Sequence, residues 1–133
     1  GQQRLDDARG LALRSHDLYV GSLGEGHEAV SAAEMTLGRV ARSAGDLPEA
    51  EARFRSAHRR DLDNHGAGSL QAALSGLELG ETLLRRDQPG QAAELLEPSA
   101  RTLGELLPIG HPDLRRAEAL SAEAARRAGR SDA

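Results

Sequence analysis

The strongest constraint on this chain is an internal repeat of 42 residues. Three alanines stand at this spacing, at positions 8, 50 and 92, each near the start of a segment rich in helix formers. Two further series keep the same spacing, one of turn-forming residues and one of small residues: Gly45, Asp87 and Gly129, and Gly38, Gly80 and Ala122. Agreement of several series at one period indicates a repeat protein, in which each unit packs on its neighbours.

Each repeat is predicted to hold two helices. Between residues 28 and 44, apolar side chains recur every three or four positions, which is the spacing of one helix face. Gly45 suits the left-handed conformation that ends a helix. Asp46, Pro48 and Glu49 then match the start of a second helix, with a capping side chain and a proline in the first turn. We call these two helices first-type and second-type.

The same pattern extends over the whole chain. A first-type helix is predicted over 70–85, and a second-type helix begins at Pro89, with a kink expected at Pro98 because proline lacks an N–H donor. A last first-type helix is predicted from about 113 to 127, and residues 4–22 form a second-type helix with no first-type helix before it. The prediction is an all-α fold of about six helices in one domain, 1–133, divided into a half repeat 1–27, repeats 28–66 and 67–110, and a capping helix 111–128.

Composition restricts the chemistry available to this fold. The chain has no cysteine and no lysine, which excludes thiol nucleophiles, thiolate metal sites and Schiff-base chemistry. A formal net charge of −4 disfavours a broad nucleic-acid-binding face. No apolar run approaches the roughly 20 residues that span a bilayer. We therefore expect a cytoplasmic protein without nucleic-acid or membrane partners, and the use of arginine alone with much alanine suggests a GC-rich bacterial genome.

The residues at the repeat positions resemble a known family. Leu37-Gly38, followed by Ala50, Phe54 and Ala57, resembles the tetratricopeptide repeat (TPR), a helix–turn–helix unit, and the next repeat supplies Leu79-Gly80, Ala92, Leu96 and Ser99. The 42-residue period and the Leu23-Gly24 to His27 junction resemble the kinesin-light-chain subtype. The resemblance implies an α-solenoid of antiparallel helix pairs with a right-handed superhelix. We expect this segment to be the C-terminal part of a larger bacterial protein.

The resemblance also implies a binding surface, because the first-type helices of TPR proteins line a concave groove for a peptide or partner helix. The family's inward-facing positions carry over to the following residues of this chain: Met35, Arg39, Arg42, Leu77, Glu81, Leu84, Arg85, Arg116, Glu123 and Arg126. The expected ligand is a peptide or protein, and an acidic peptide is one candidate because arginine suits carboxylate partners. The alternative is that these arginines are solvated and pair with Glu81, Glu94 or Glu123.

Metal binding and catalysis have little support in the sequence. None of the five histidines forms an i, i+4 pair, and His27, His65 and His111 are predicted in successive loops, roughly 10 Å or more apart. A hydrogen bond from such a histidine to the neighbouring loop is the preferred interpretation. Ser15, His16 and Asp17 are consecutive and point in different directions on a helix, so they cannot form a relay. We expect no catalytic, metal or cofactor site.

Three functions are compatible with these observations. The first is a non-enzymatic scaffold that presents a concave helical groove to a peptide or protein. The second is a regulatory or recruitment tail of a larger bacterial signalling protein, such as a Ser/Thr kinase or a transcription regulator. The third is a structural spacer or oligomerisation element. Exposure of Leu11, Leu13 and Leu18 on the N-terminal helix predicts self-association through that helix.

Overall fold

The computed structural model of the chain describes residues 1–24 and 28–132, without the side chains of residues 23 and 130–132. This part of the chain forms six α-helices: α1 (Gln2–Leu23), α2 (Glu28–Ser43), α3 (Leu47–His65), α4 (Leu70–Arg85), α5 (Pro89–Leu106) and α6 (Pro112–Asp132). The predicted all-α fold is confirmed. The last helix extends beyond the predicted end of the capping segment, and Pro98 lies inside α5 without ending it.

The helices stack in the order of the sequence. Each one packs on the next, from α1 through α6, and α4 also contacts α6. Packing that is confined to near neighbours is the property of a solenoid. The first-type helices are α2, α4 and α6, and the second-type helices are α1, α3 and α5.

The turns after α2 and α4 have the left-handed residue that the 42-residue spacing predicts, whereas Gly129, the third member of that series, lies inside α6. Gly45 follows α2 with φ 84°, and Asp87 follows α4 with φ 60°. Aspartate tolerates this region better than most non-glycine residues. The Asp46 carboxylate then accepts a hydrogen bond from the backbone N–H of Glu49 at 3.2 Å, as the capping pattern predicts. These local signals explain why the helix boundaries could be predicted closely.

The series of small residues marks the closest contact within each helix pair. A Cβ atom added at Gly38 would lie 2.6 Å from the Phe54 ring, and one added at Gly80 would lie 2.5 Å from Leu96. Phe54 and Leu96 are both fully buried. α3 and α5 therefore each place one large side chain against a glycine of the first-type helix before them, and the absence of a Cβ allows the two helices to approach.

Candidate functional site

The first-type helices share an ion-pair network centred on a buried carboxylate, Glu78 of α4. Its side chain is 6% exposed, and it accepts hydrogen bonds from Arg39 Nε at 3.2 Å and Arg42 Nη2 at 3.3 Å, both from α2. Arg116 of α6 donates to the same carboxylate from the other side. One side chain thus links three successive first-type helices.

A second carboxylate, Glu81, lies one turn further along α4. It pairs with Arg42 Nη1 at 3.5 Å, with Arg85 Nη2 at 2.9 Å and with Arg116 at 2.9 Å. Two carboxylates thus meet four guanidinium groups, which leaves a formal excess of two positive charges. We call this set the arginine cluster; it comprises Arg39, Arg42, Arg85 and Arg116 around Glu78 and Glu81.

The charges of the cluster are fixed by their mutual contacts. Burial alone would raise the pKa of the Glu78 carboxyl, but the hydrogen bond and charge of Arg116, with the charges of Arg42 and Arg39, hold that pKa below its usual value. Burial alone would lower the pKa of Arg116, whereas its contacts with Glu78 and Glu81 raise it. The central pair therefore stays ionised at neutral pH.

Arg42 is the most enclosed arginine of the cluster. Its side chain is 12% exposed, and Nη1 lies 3.4 Å from both the Glu78 carbonyl oxygen and Thr82 Oγ1. The guanidinium carbon also lies 5.0 Å from the centroid of the Phe54 ring, within cation–π range. Arg42 is thus held by the fold from several sides and serves to position the cluster.

Five of the predicted groove residues are accessible to a partner. About a third or more of each side chain is exposed in Arg39, Arg85, Arg116, Glu123 and Arg126. Met35 is half-buried against the core. The pairing with glutamates that the alternative interpretation predicts is also present: Arg85 pairs with Glu81, and Arg126 pairs with Glu123.

The other predicted groove residues lie too deep to offer a contact surface. Leu77 and Leu84 are 1% and 5% exposed and belong to the hydrophobic core, while Arg42 and Glu81 are enclosed within the arginine cluster. The reason is the central position of α4, which packs against α3, α5 and α6 and therefore buries side chains on most of its surface. Leu77 and Leu84 are accordingly corrected from groove residues to core residues.

Glu78, at the centre of the arginine cluster, is the residue that the sequence analysis missed. The repeat comparison could not find it, because the positions 42 residues before and after it hold Thr36 and Leu120. A local signal was present, since Glu78, Glu81 and Arg85 follow one another at three- and four-residue steps on one helix face.

Among the residues that the structure describes, the histidines and the consecutive Ser-His-Asp triplet show no shared site. His65 Nε2 lies 3.2 Å from Glu28 Oε2 across a repeat, and His111 Nδ1 accepts from the Asp113 backbone N–H at 3.1 Å. His27 lies outside the described residues. Over residues 1–24 and 28–132, no three histidine or acidic side chains come together in a metal-binding group. Nδ1 of His16 lies 3.4 Å from Oδ1 of its sequence neighbour Asp17 on α1.

His58 of α3 is enclosed against α4, where its Nδ1 lies 3.1 Å from Ser75 Oγ. Burial lowers the pKa of its imidazole below the usual 6.5, and the charge of Arg55 acts in the same direction. The carboxylate of Asp61 and a hydrogen bond to the Ala72 backbone oppose this shift without cancelling it. The folded chain therefore favours the neutral ring.

Acidification should consequently destabilise the fold through His58. As the pH falls, His58 is protonated in the unfolded chain before it is protonated in the folded chain. The contribution of neutral His58 to the stability of the fold is therefore complete above pH 6.5 and is lost as the pH falls through the lowered folded-state pKa. Urea midpoints of the wild type and of His58→Gln, measured at about pH 7.5 and about pH 5.5, test this. The variant should lose less stability on acidification, and an equal loss in both proteins would assign the effect to other groups.

Comparison with known proteins agrees with the fold. A family model described as tetratricopeptide repeat matches residues 1–63. No curated protein sequence gives a match. Among the described residues, no helix is both long and apolar enough to cross a bilayer.

Solved structures resemble the chain over nearly its whole length. The nearly identical TPR-like repeats of a Podosopora anserina protein described as a kinesin light chain superpose with a TM-score of 0.86 at 20% identity, over 96% of this chain and 61% of that one. A point variant of the same protein gives 0.87 at 20% identity, over 96% and 60%. BtubC (BKLC) from P. vanneervenii gives 0.72 at 16% identity, over 98% and 59%.

The chain thus spans about 60% of the length of these structures. At 20% identity or less, the likeness establishes the fold. The matched segment establishes the repeat type, in agreement with the Gly38–Phe54 contact. The chain therefore contains tetratricopeptide repeats in its first 63 residues, and nearly its whole length has the fold of the TPR-like repeats of kinesin-light-chain-type structures.

Proposed function

We propose that the chain is a non-enzymatic interaction scaffold whose first-type helices, α2, α4 and α6, form a concave surface that binds an acidic peptide or protein segment. The observation that carries this proposal is the arginine cluster, with its excess of two positive charges. The repeat type supports the coarser part of the proposal, since TPR arrays generally bind peptides and proteins.

The exposed arginines retain hydrogen-bonding capacity for a ligand. A guanidinium group carries five N–H donors in a fixed fork. Arg39 and Arg85 are each about half exposed, and each contacts one carboxylate of the cluster through a single nitrogen. Exposed guanidinium N–H donors suit the planar carboxylates of Asp and Glu side chains.

The buried carboxylates position the arginines of this positively charged surface. Glu78 and Glu81 hold the arginine side chains in place before a ligand arrives, which reduces the conformational entropy that binding would cost. A ligand with one or two acidic residues matches the excess charge, whereas a basic ligand would meet uncompensated guanidinium groups.

The proposal is tested by the affinity of a fluorescein-labelled peptide of mixed Glu and Leu residues, measured by fluorescence polarisation. The double variant Arg39→Glu, Arg85→Glu should lose about tenfold or more in affinity, since each charge-assisted contact contributes at least ~1 kcal/mol. Binding by the wild type should also weaken as salt is added.

A matched control is the double variant Arg55→Glu, Arg101→Glu on the second-type helices. These arginines are about half exposed or more, and each pairs with a glutamate at i, i+4, as Arg85 does. The control changes net charge by the same amount and should leave affinity nearly unchanged. Equal loss in both double variants would reduce the effect to overall charge and contradict a specific surface.

Self-association through α1 is a second proposal, favoured by one observation. Of the three α1 leucines predicted to be exposed, Leu11 and Leu18 are 61% and 64% exposed, whereas Leu13 is half-buried.

A further inference from the structure

A small pocket opens on the side of α4 that faces away from the arginine cluster. Its volume is about 230 Å³, and it lies between α3 and α5 with α4 at its base, where Ala72 and Ala73 are both buried. A helix turns by about 100° per residue, so Ala72 and Glu81 lie on opposite sides of α4. We call this cavity the α3–α5 pocket; its walls include His58 and Leu62 of α3 and Glu94, Leu95, Ser99 and Thr102 of α5.

The preceding repeat indicates what occupies the corresponding space. There, Glu34 of α2 is 3% exposed and pairs with Arg60 of α3, with Oε1 2.5 Å from Nε. The positions 42 residues later hold Gly76 and Thr102. The second repeat thus has neither the carboxylate nor the guanidinium group of this ion pair at these positions, and Thr102 lines the α3–α5 pocket.

The surroundings of Gly76 support this correspondence. A Cβ added at Gly76 would lie 2.5 Å from Ser99 Oγ and 3.2 Å from His58 Cε1, and both of these residues line the pocket. The same 42-residue register relates the glycine contacts of the α2–α3 and α4–α5 pairs. The α3–α5 pocket is therefore the space that the Glu34–Arg60 ion pair fills one repeat earlier.

The pocket offers hydrogen-bond acceptors that the fold leaves without donors. In the described part of the chain, the exposed Glu94 carboxylate forms no ion pair, and Arg55, which borders a neighbouring cavity with it, pairs with Glu51 at 3.2 Å. The Glu94 carbonyl oxygen lacks its helical donor because residue 98 is a proline. Ser99 is 5% exposed, and its Oγ has no hydrogen-bond partner among the described residues.

The charge of the pocket favours a cation. Glu94 and His58 are the titratable residues that line it. Burial lowers the pKa of His58, so the ring is neutral at pH 7 and does not repel a cation. Leu62 and Leu95 add apolar surface beside these polar groups. The pocket therefore combines one negative charge with a partly apolar wall.

We propose that the α3–α5 pocket binds the guanidinium group of an arginine side chain from a peptide or protein partner. A volume of about 230 Å³ is below the roughly 300–1,000 Å³ of small-molecule sites, so it suits one side chain. The five N–H donors of a guanidinium group match the Glu94 carboxylate, the Glu94 carbonyl and Ser99 Oγ. The methylene stem of the arginine can pack on Leu62 and Leu95.

This site is independent of the arginine cluster and does not rest on the function proposed for it. The two surfaces lie on opposite sides of α4 and have opposite charge preferences. The helices that form the pocket, α3, α4 and α5, each pack against another helix on both sides. A partner with an arginine on one segment and acidic residues on another could therefore contact both surfaces.

The proposal is tested by NMR titration of the ¹⁵N-labelled chain with Nα-acetyl-arginine methylamide. Saturable amide shifts are expected at the pocket, in residues 58–62, 72–76 and 94–102, with a dissociation constant on the order of 1–10 mM. The citrulline analogue has nearly the same shape without the charge and should bind about fivefold more weakly or less. The lysine analogue should also bind more weakly, because an ammonium group has three donors and is not planar.

Two variants locate the binding to the pocket. Glu94→Gln removes the carboxylate and should weaken binding about fivefold or more. Thr102→Arg places a guanidinium group where Arg60 stands one repeat earlier, so it should fill the pocket and abolish the saturable shifts. Both positions are at least partly exposed, and retention of the fold is checked by circular dichroism.

Glu105→Gln is the matched control, since Glu105 is an exposed carboxylate of α5 that does not line the pocket. This variant should bind the arginine probe as the wild type does. Equal affinity of the wild type and Glu94→Gln would overturn the proposal. The absence of saturable shifts up to about 50 mM probe, or equal binding of the citrulline or lysine analogue, would also overturn it.

Discussion

Replacing Glu78 with glutamine is expected to lower the free energy of unfolding by about 3 kcal/mol. The Glu78 side chain is 6% exposed and accepts from Arg39, Arg42 and Arg116, so the substitution leaves three guanidinium groups facing a neutral amide. Removal of one partner from a buried ion pair costs about 3–5 kcal/mol. The lower end applies here because Arg39 is half exposed and its charge is partly screened by water.

Glu97→Gln is the matched control for this experiment. Glu97 also pairs with an arginine, Arg101 at 3.2 Å, but both side chains are largely exposed. Its loss should cost about 0.5 kcal/mol or less. Urea denaturation of the three proteins gives the comparison, and equal losses in the two variants would contradict a structural role for the buried carboxylate.

Truncation of Phe54 to alanine should cost about 3–5 kcal/mol, the largest effect of any core change considered. Phe54 is fully buried, lies against Gly38 and lies beneath the Arg42 guanidinium. The truncation removes the ring that fills the space beside Gly38 and one of the contacts that position Arg42. The midpoint of thermal or urea unfolding measures the loss.

The next repeat supplies the conservative variant. Leu96 occupies in α5 the place that Phe54 occupies in α3, and it packs against Gly80 in the same way. Phe54→Leu should therefore cost no more than about 1.5 kcal/mol. Leu106→Ala, at an exposed position of α5, should remain within about 0.5 kcal/mol of the wild type. Similar losses for Phe54→Ala and Leu106→Ala would contradict the proposed helix contact.

The fold could be predicted from the sequence because its determinants are local and repeated. Gly45, Asp46 and Pro48 end one helix and start the next through their own backbone preferences. The 42-residue spacing then extends the pattern to parts of the chain with weaker signals, such as Asp87, which adopts the left-handed conformation of Gly45.

The site could be predicted only in part, because exposure depends on which helices cover a face. Helical spacing places Arg39 and Leu77 on comparable faces of their helices, but α4 is packed on more sides than α2. Leu77 is consequently core, while Arg39 is half exposed. Glu78 was missed because its role comes from contacts with α2 and α6, which lie 36 or more residues away in the sequence.

The ion-pair network and the proposed binding surface depend on the same two carboxylates. Glu78 and Glu81 make it possible to gather four arginines from three helices, and the charge that they leave uncompensated is what a ligand would recognise. This excess is the reason why we propose a binding surface and not a spacer.

The most direct test of this account is an NMR titration of the ¹⁵N-labelled chain with a short peptide of mixed Glu and Leu residues. The predicted result is a set of amide shift changes confined to α2, α4 and α6 around the arginine cluster, which diminish as salt is added. Changes centred on α3 and α5, or no changes at peptide concentrations up to about 1 mM, would contradict the acidic-peptide surface.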